Sequence, residues 1–193
     1  TMISLNVCTY NMHGFNNGLP FAKYLAETAD VICLQEHWLH AECLNAFNVF
    51  ADFTSTAFSV LVNEVVTVGR PYGGLAVLCR NSSVKIVSNF VASINNRAAG
   101  ILIASGDKSF LLFNVYLPCR GQKNYLSDVE IICAYILSIT NIVDINNVDI
   151  LIAGDFNVDL QEVNSFVQLR TLSSIIDSFK LVPCMNYYNG SFT

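Results

Sequence analysis

The sequence predicts an α/β (α+β) fold, a four-layered sandwich in which two mixed β-sheets pack face to face and helices cover their outer sides. Its 193 residues are 53% hydrophobic and 13% charged, which is enough apolar material for one large core. Strand-like segments outnumber helix-like ones, whereas a doubly wound parallel sheet needs a helix between most strands. No repeat, linker or low-complexity segment divides the chain, so we predict one domain over residues 1–193.

The first part of the chain alternates strand, loop and helix patterns. In chain order these are a strand at 3–10 (ISLNVCTY), a glycine-marked loop at 11–18, a helix at 19–28, a short buried strand at 30–36 (DVICLQE) and irregular connections with short strands at 40–72. The predicted helix carries Pro20 in its first turn, where a missing N–H is tolerated.

The second part of the chain predicts further strands and two more helices. They are strands at 73–81 and 84–93, a hairpin at 99–118, a helix at 127–143, a buried strand at 149–157, a helix at 163–179, and a strand and loop at 180–193. The hairpin follows from two apolar, β-rich runs on either side of SGDK. Ser127 with Glu130 three residues later has the capping-box pattern of a helix start.

Net charge, cysteine content and the length of the apolar runs limit how this protein can bind nucleic acid and where in the cell it is expected. A net charge of -5 argues against a broad electrostatic hold on nucleic acid, so a polyanion would have to be bound locally with help from a divalent cation. The seven cysteines are odd in number and form no C-x-x-C pair, which predicts reduced thiols and a nuclear or cytoplasmic protein. No uninterrupted apolar run reaches the roughly 18 residues of a membrane span, and the start has no signal-peptide pattern, so no membrane partner is expected.

Polar side chains end four of the predicted strands. They are Asn11, Glu36, Tyr116, and Asp155 with Asn157. Burying an unpaired carboxylate costs several kcal/mol, so a strand that serves only the core should not end in this way. Strand ends at one edge of a sheet bring distant residues together, and carboxylate and amide oxygens are the ligands that Mg²⁺ or Mn²⁺ prefers.

Five ordered segments, TYNMHG, CLQE, YGGLAVLCRN, NVYLP and IAGDFN, resemble the endonuclease/exonuclease/phosphatase superfamily. The closest resemblance is to the apurinic/apyrimidinic-like endonuclease domain of non-LTR (LINE-type) retrotransposons. A GG-x-A-[IVL]-L strand, as in the segment YGGLAVLCRN, is usual in these domains. The resemblance covers nearly the whole chain. It implies divalent-metal-dependent hydrolysis of phosphodiester bonds, with Mg²⁺ or Mn²⁺ as cofactor and the phosphodiester backbone of target DNA as partner.

The resemblance also implies roles for individual residues. Glu36 resembles the principal metal-binding carboxylate, and Asn11 and Asp155 complete the predicted metal site. Asn11 also resembles the amide that orients its catalytic neighbours, and Asp155 the acid that positions or deprotonates the attacking water. Asn157 and Tyr116 resemble the groups that contact the scissile phosphate. Such a set stabilises the charge that develops on phosphorus and activates water for in-line attack.

The sequence departs from the family pattern at two positions near these motifs. His13 stands where repair enzymes often carry an acid, and it is a candidate substrate contact or an ordinary loop histidine. Cys119 replaces an amide in the family's Y-x-P-N, and Arg120 beside it is a candidate replacement for that substrate contact. Apart from this comparison, His37, Trp38 and His40 of the segment EHWLH are expected to line the loop after the strand and not to bind zinc.

The resemblance further implies a terminal aspartate strand and a Ser-Asp-His motif, neither of which is present before Thr193. We therefore expect a C-terminally incomplete domain without its last strand or strands, weak or inactive alone, and a reverse transcriptase domain in the same polyprotein. Two other functions stay open: a phosphoinositide or sphingomyelin phosphohydrolase of the same superfamily, and a catalytically inactive truncated domain. At the level of single motifs, Asp155 and Asn157 could instead form an Asx-turn, and Tyr116 could be packed aromatic surface.

Overall fold

The computed structural model describes residues 4–60, 73–119, 121–157 and 170–182, which form two four-stranded sheets with helices on their outer sides. In chain order the elements are β1 (Val7–Asn11), α1 (Phe15–Leu25), β2 (Val31–Gln35), a 3₁₀ helix (Ala41–Val49), β3 (Phe53–Phe58), β4 (Leu75–Arg80), β5 (Lys85–Asn89), β6 (Ala98–Ser105), β7 (Lys108–Tyr116), α2 (Tyr125–Ile142), a short 3₁₀ helix (Ile145–Asn147), β8 (Val148–Asp155) and α3 (Arg170–Ser178). The predicted fold class is confirmed.

Each sheet combines one parallel pair with antiparallel neighbours. The first sheet has the order β1-β2-β4-β3 and the second β5-β6-β7-β8, with β1 parallel to β2 and β7 parallel to β8. The remaining pairs are antiparallel, including the β6–β7 hairpin predicted around SGDK. β1 and β8 lie next to each other across the sandwich. The two parallel pairs therefore meet on the same side of the molecule.

Alternation along β2 divides its buried side chains between two cores. Ile32 and Leu34 pack with α1 on the outer side of the first sheet, whereas Val31 and Cys33 face the second sheet. The core between the sheets also contains Val77, Cys79, Ile101, Ile103 and Leu112. A third cluster joins the outer face of the second sheet to α2 and α3, and it includes Leu111, Phe113, Val129, Ile132, Ile136 and Ile175. These three clusters separate four layers.

The predicted helix starts were too late at two places. α1 begins at Phe15, inside the segment expected to be a loop, so Pro20 lies within the helix and not in its first turn. Burial of Phe15 against Phe47, with ring centroids 5.2 Å apart, explains the early start. α2 begins at Tyr125 and has no side-chain cap hydrogen bond, so Ser127 does not cap it. The Tyr125 ring is buried in the third cluster, and that packing outweighs the cap.

β8 is half-buried along its length, whereas the sequence predicted a buried strand at 149–157. Within the described residues β8 pairs with β7 on one side and lies at the end of its sheet, which explains the exposure. The segment 40–72 contains the 3₁₀ helix and β3, as its irregular pattern suggested, and 61–72 lie outside the described residues. Of the predicted helix at 163–179, residues 163–169 also lie outside them, and α3 accounts for the rest.

Cysteines in the described parts of the chain are unpaired. Cys33 and Cys79 lie between the sheets and Cys133 lies in α2, which agrees with the prediction of reduced core thiols. Burial raises the pKa of Cys79 to about 12 and that of Cys133 to about 11, so both stay protonated at neutral pH. Cys43 and Cys119 are exposed.

Within the described residues, α2 is long and apolar enough to cross a membrane by length and composition alone. The central helix of a globular core has the same properties. α2 buries Val129, Ile132 and Ile136 in the cluster that contains Leu111 and Phe113. This packing accounts for its apolar face without a lipid environment.

Candidate active site

The structure brings the polar strand ends to one place. β1 and β2 run in register with Asn11 opposite Gln35, and β7 and β8 run in register with Tyr116 opposite Asp155. Asn11 Nδ2 donates to Asp155 Oδ2 at 2.9 Å, a bond between residues 144 positions apart in the sequence. This bond links the two parallel pairs at their carboxyl ends.

Asp155 is half-buried and accepts hydrogen bonds on both oxygens. Asn11 donates to Oδ2, and the backbone N–H of Asn157 donates to Oδ1 at 3.2 Å. The second bond is the Asx-type turn that was the alternative explanation of GDFN. The turn exists, yet it does not account for the bond from Asn11. The carboxylate is therefore oriented from its own strand end and from the opposite sheet.

Glycine at position 154 is what permits β8 to end against β7. Gly154 has φ 148°, and a Cβ there would lie 1.9 Å from the carbonyl oxygen of Val115. Any larger residue would push the two strand ends apart. The close approach keeps Asp155 beside Tyr116, with Leu117 N–H donating to the carbonyl of Asp155 at 2.9 Å.

Asn157 lies just beyond Asp155 with φ 48°, a left-handed conformation that asparagine tolerates better than most residues. Its Nδ2 donates to the carbonyl of Leu117 at 2.8 Å. The amide nitrogen carries two hydrogens. One of them forms this bond and fixes the side chain, and the other can donate a second hydrogen bond.

Glu36 ends β2 in a much drier environment, with 7% of its surface exposed. Its Oε1 accepts from the backbone N–H of Gly73 at 2.9 Å, and its Oε2 accepts from the indole N–H of Trp38 at 2.7 Å. A buried carboxylate is costly without such partners. Two donors, one on each oxygen, meet that requirement and hold the group in a single orientation.

Tyr116 lies between these groups. Burial raises the pKa of its phenol to about 12, and the charges of Glu36 and Asp155 act in the same direction. Arg97 acts against them, since its guanidinium lies 5.1 Å from the centre of the Tyr116 ring. The phenol therefore keeps its proton throughout the neutral range and can act as a hydrogen-bond donor.

Arg97 is held by partners on two sides. Its side chain is 20% exposed and forms an ion pair with Asp128, with Nε 3.4 Å from Oδ2. Together with the contact to Tyr116, this ion pair ties the tyrosine to the start of α2.

One predicted substrate contact, His13, joins this cluster through its backbone. His13 is exposed and has a φ of 47°. Its backbone N–H donates to Asn11 Oδ1 at 3.1 Å. Arg120 lies outside the described residues.

His37, the second residue of EHWLH, is buried and structural. Its Nδ1 accepts from the backbone N–H of Leu39 at 3.0 Å, so the ring proton sits on Nε2, which lies 3.1 Å from the carbonyl of Phe58. Burial is the main cause that lowers the pKa of His37, to about 4. The ring is therefore neutral at physiological pH and fastens the turn after Glu36 to the end of β3.

Sequence reasoning missed a buried polar junction beneath the site. Asn114 in β7 is fully buried, and its Nδ2 donates to the carbonyls of Leu34 and Ala76 in the first sheet at 2.9 and 3.0 Å. Its Oδ1 accepts from Gln35 Nε2 at 2.7 Å. The signal was present, because an asparagine inside the apolar run LLFNVY must be satisfied by partners in the core.

The side chains at this edge fit a hard divalent cation. Within the described ranges, no three His, Cys, Asp or Glu side chains gather into one cluster. The site instead offers the carboxylates of Glu36 and Asp155 and the amide oxygen of Asn11, without thiolate or imidazole. Mg²⁺ is usually held by one or two carboxylates while water and substrate phosphate complete its shell, so the donor set fits Mg²⁺ or Mn²⁺ better than zinc.

Comparisons with known proteins identify the family of the chain and its fold. A family model described as the Endonuclease/Exonuclease/phosphatase family matches residues 8–190. No curated protein matches the sequence significantly.

Similar solved structures share the fold at low sequence identity. An AP endonuclease from Archaeoglobus fulgidus is 16% identical with a TM-score of 0.66, over 91% of this chain and 71% of its own. The human Nocturnin catalytic domain is 16% identical with a TM-score of 0.66, over 98% and 77%. The 3′ phosphatase NExo from Neisseria, bound to a product DNA hairpin, is 14% identical with a TM-score of 0.63, over 90% and 71%.

Proposed function

The chain belongs to the endonuclease/exonuclease/phosphatase family, and from this premise we propose that it is a Mg²⁺-dependent endonuclease that nicks target DNA. Members of the family are hydrolytic nucleases and phosphatases. The observation that carries the proposal is the hydrogen bond from Asn11 to Asp155, which joins the carboxyl ends of β1 and β8. β2 ends in register beside β1, and β7 ends in register beside β8.

Glu36 would be the principal ligand of the cation, with oxygens of Asp155 and Asn11 beside it. When bound, the cation supplies positive charge that stabilises the charge developing on the phosphate in the transition state. Glu36 suits this role because Trp38 and Gly73 already fix its carboxylate. A preset ligand need not reorganise during the reaction.

Asp155 would orient the attacking water and accept its proton. The bonds from Asn11 and from the backbone of Asn157 hold the carboxylate while leaving it half-exposed to solvent and substrate. An acid in this position activates water for in-line attack on phosphorus.

Tyr116 and Asn157 would donate hydrogen bonds to the scissile phosphate. Tyr116 keeps its proton, because its pKa is raised to about 12, and Asn157 has one N–H beyond its bond to Leu117. His13 is exposed beside Asn11 and, with Arg120, is a candidate for contacts along the substrate backbone.

DNA is the proposed substrate for two reasons. The sequence resembles retrotransposon endonucleases in the segment YGGLAVLCRN, and such enzymes leave a 3′ hydroxyl on one strand of the target. In addition, the structurally similar Neisseria phosphatase is bound to a DNA hairpin. We also propose a reverse transcriptase domain in the same polyprotein, from the same resemblance, and a nuclear or cytoplasmic location, from the cysteine pattern.

Conversion of supercoiled plasmid to the open circle tests the proposal, because one cut per molecule is detected. In the full-length protein we expect nicking in Mg²⁺, its loss in EDTA, and its loss in Glu36→Gln and Asp155→Asn. Inositol polyphosphates and sphingomyelin are assayed in parallel. Release of phosphate or phosphocholine without nicking would assign the same site to a head-group phosphohydrolase, whereas no turnover of any substrate would indicate a catalytically inactive domain.

A further inference from the structure

We propose that Trp38 is a positioning residue for Glu36, and that its indole N–H holds the carboxylate in the orientation that binds the divalent cation. The inference rests on the proposed function, because positioning Glu36 matters only if Glu36 is a cation ligand. It concerns a side chain two residues beyond Glu36, for which the sequence predicted only a place in the loop after the strand.

The backbone around Trp38 adopts an unfavourable conformation. Glu36 and Trp38 both have φ 58°, in the left-handed region that bulky residues avoid. Such residues are strained, and they persist where the surrounding structure determines their conformation. Two of them within three residues turn the indole back towards the carboxylate of Glu36.

The surrounding structure holds this turn from several sides. Gly14 N–H donates to the carbonyl of Glu36 at 2.8 Å, Phe15 N–H donates to the carbonyl of His37 at 2.8 Å, and Trp38 N–H donates to the carbonyl of Gly73 at 3.0 Å. The start of α1 and the residues before β4 therefore fix both ends of the turn.

Glycine at position 14 makes room for the indole. A Cβ on Gly14 would lie 2.6 Å from Cε3 of Trp38, and its φ of 97° also favours glycine. The ring therefore packs directly against the backbone of Gly14. This contact, with the bond to Glu36, leaves the indole a defined position.

The bond from Trp38 also determines which acceptor positions of the Glu36 carboxylate are left for a cation. A carboxylate has about four acceptor positions, and Trp38 and Gly73 use one on each oxygen. About two positions are left for a cation. With Glu36 only 7% exposed, water cannot readily replace a lost donor, so without the indole N–H the carboxylate would be held by Gly73 alone.

Trp38→Phe tests the proposal, since phenylalanine keeps an aromatic ring and removes the N–H. The measurement is the Kd for Mn²⁺, from the electron paramagnetic resonance signal of the free ion, at a temperature where circular dichroism shows a folded variant. We expect about tenfold weaker binding, as is typical when a partner that orients a ligand is lost. Tyr135→Phe is the matched control, because it removes an aromatic hydroxyl that accepts from Gly100 N–H away from Glu36 and should leave the Kd unchanged.

The outcomes separate this inference from the proposed function. If Glu36→Gln loses Mn²⁺ binding while Trp38→Phe binds like the parent, the positioning role is wrong and the proposed cation site stands. If the parent and Glu36→Gln bind Mn²⁺ equally weakly, the proposed cation site itself is wrong. A loss of stability in Trp38→Phe with an unchanged Kd would also overturn the inference, because that is the result of a purely structural role.

A second measurement keeps the test decisive if Trp38→Phe does not fold. Trp38 is the single tryptophan of the chain, so its emission reports on this site alone. Mg²⁺ should change the emission of the parent protein, and Glu36→Gln should abolish that change. A parent that binds Mn²⁺ but shows no change in tryptophan emission with Mg²⁺ would contradict the proposed contact.

Discussion

Glu36 and Asp155 end two strands of opposite character. Every residue of β2, which leads to Glu36, is buried, whereas β8, which leads to Asp155, is exposed in part along its whole length. Glu36 is held by donors from its own turn and from Gly73, and Asp155 by Asn11 of the opposite sheet. One carboxylate is therefore a fixed part of the framework, and the other is presented to solvent.

The largest effect is expected when the fixed carboxylate is changed. Glu36→Gln places an NH₂ group where the protein already supplies two donors, so it should lower both stability and catalysis. We expect a loss of nicking rate on the order of a thousandfold and a decrease of about 1–3 kcal/mol in the free energy of unfolding. Plasmid nicking and urea denaturation measure the two effects. Glu27→Gln, at an exposed glutamate, is the control.

The second prediction concerns the pH dependence of the turn that holds Glu36. The folded-state pKa of His37 is lowered from 6.5 to about 4, so its contribution to stability is present above pH 6.5 and is lost as the pH falls to 4. Protonation would place a hydrogen on Nδ1, the atom that now accepts a hydrogen bond from the Leu39 N–H, and would break that bond. We expect about 3 kcal/mol to be lost over this range, measured by urea denaturation in EDTA. His37→Gln should make the free energy of unfolding less dependent on pH between 6.5 and 4. An equal pH dependence in both proteins would show that His37 is not its cause.

The presented carboxylate should separate activity from stability. In Asp155→Asn the amide oxygen can still accept from Asn11, while the amide nitrogen replaces the oxygen that accepts from the Asn157 N–H. Because the side chain is half-exposed, water can solvate these groups, so the free energy of unfolding should change by less than about 1 kcal/mol. Nicking should fall about a hundredfold, since the general base is lost. Asp149→Asn, at an exposed aspartate on the same strand, should leave both unchanged. Equal destabilisation by Glu36→Gln and Asp155→Asn would remove the contrast between the two carboxylates.

The smallest effect is expected at Tyr116. Tyr116→Phe removes one donor to the phosphate and keeps the ring that packs against Arg97. We expect about a tenfold loss in nicking rate, at the lower end for a hydrogen-bond donor to a transition state, with little change in the unfolding midpoint. The same substitution at Tyr24, an exposed tyrosine of α1, serves as the control. A loss of stability without a loss of rate would make Tyr116 a packing residue.

Sequence patterns predicted the two mixed sheets and the residues at their ends because both depend on local signals. Alternating apolar residues mark strands, and a carboxylate after a buried strand is conspicuous. The same local signals failed where packing decided the outcome. Burial of Phe15 and of Tyr125 moved the starts of α1 and α2, and the position of β8 at the end of its sheet left it half-exposed.

The interior of the site was predicted least well. The order of residues gives no sign that Trp38 donates to Glu36, since that contact requires two residues in the left-handed region. Nor does it show that Asn114 fastens β7 to the first sheet. Both contacts depend on segments far apart in the chain, and such segments meet only after the sheets have packed.

The sequence by itself determined which side chains this protein can offer to a phosphate ester and which strand each of them ends, because those properties are set by neighbouring residues. The tertiary structure alone decided that Asn11 reaches Asp155 and that Glu36 is enclosed by Trp38 and Gly73. The physical reason is that the relative position of two packed sheets follows from the fit of all the side chains between them, a property that no single segment contains.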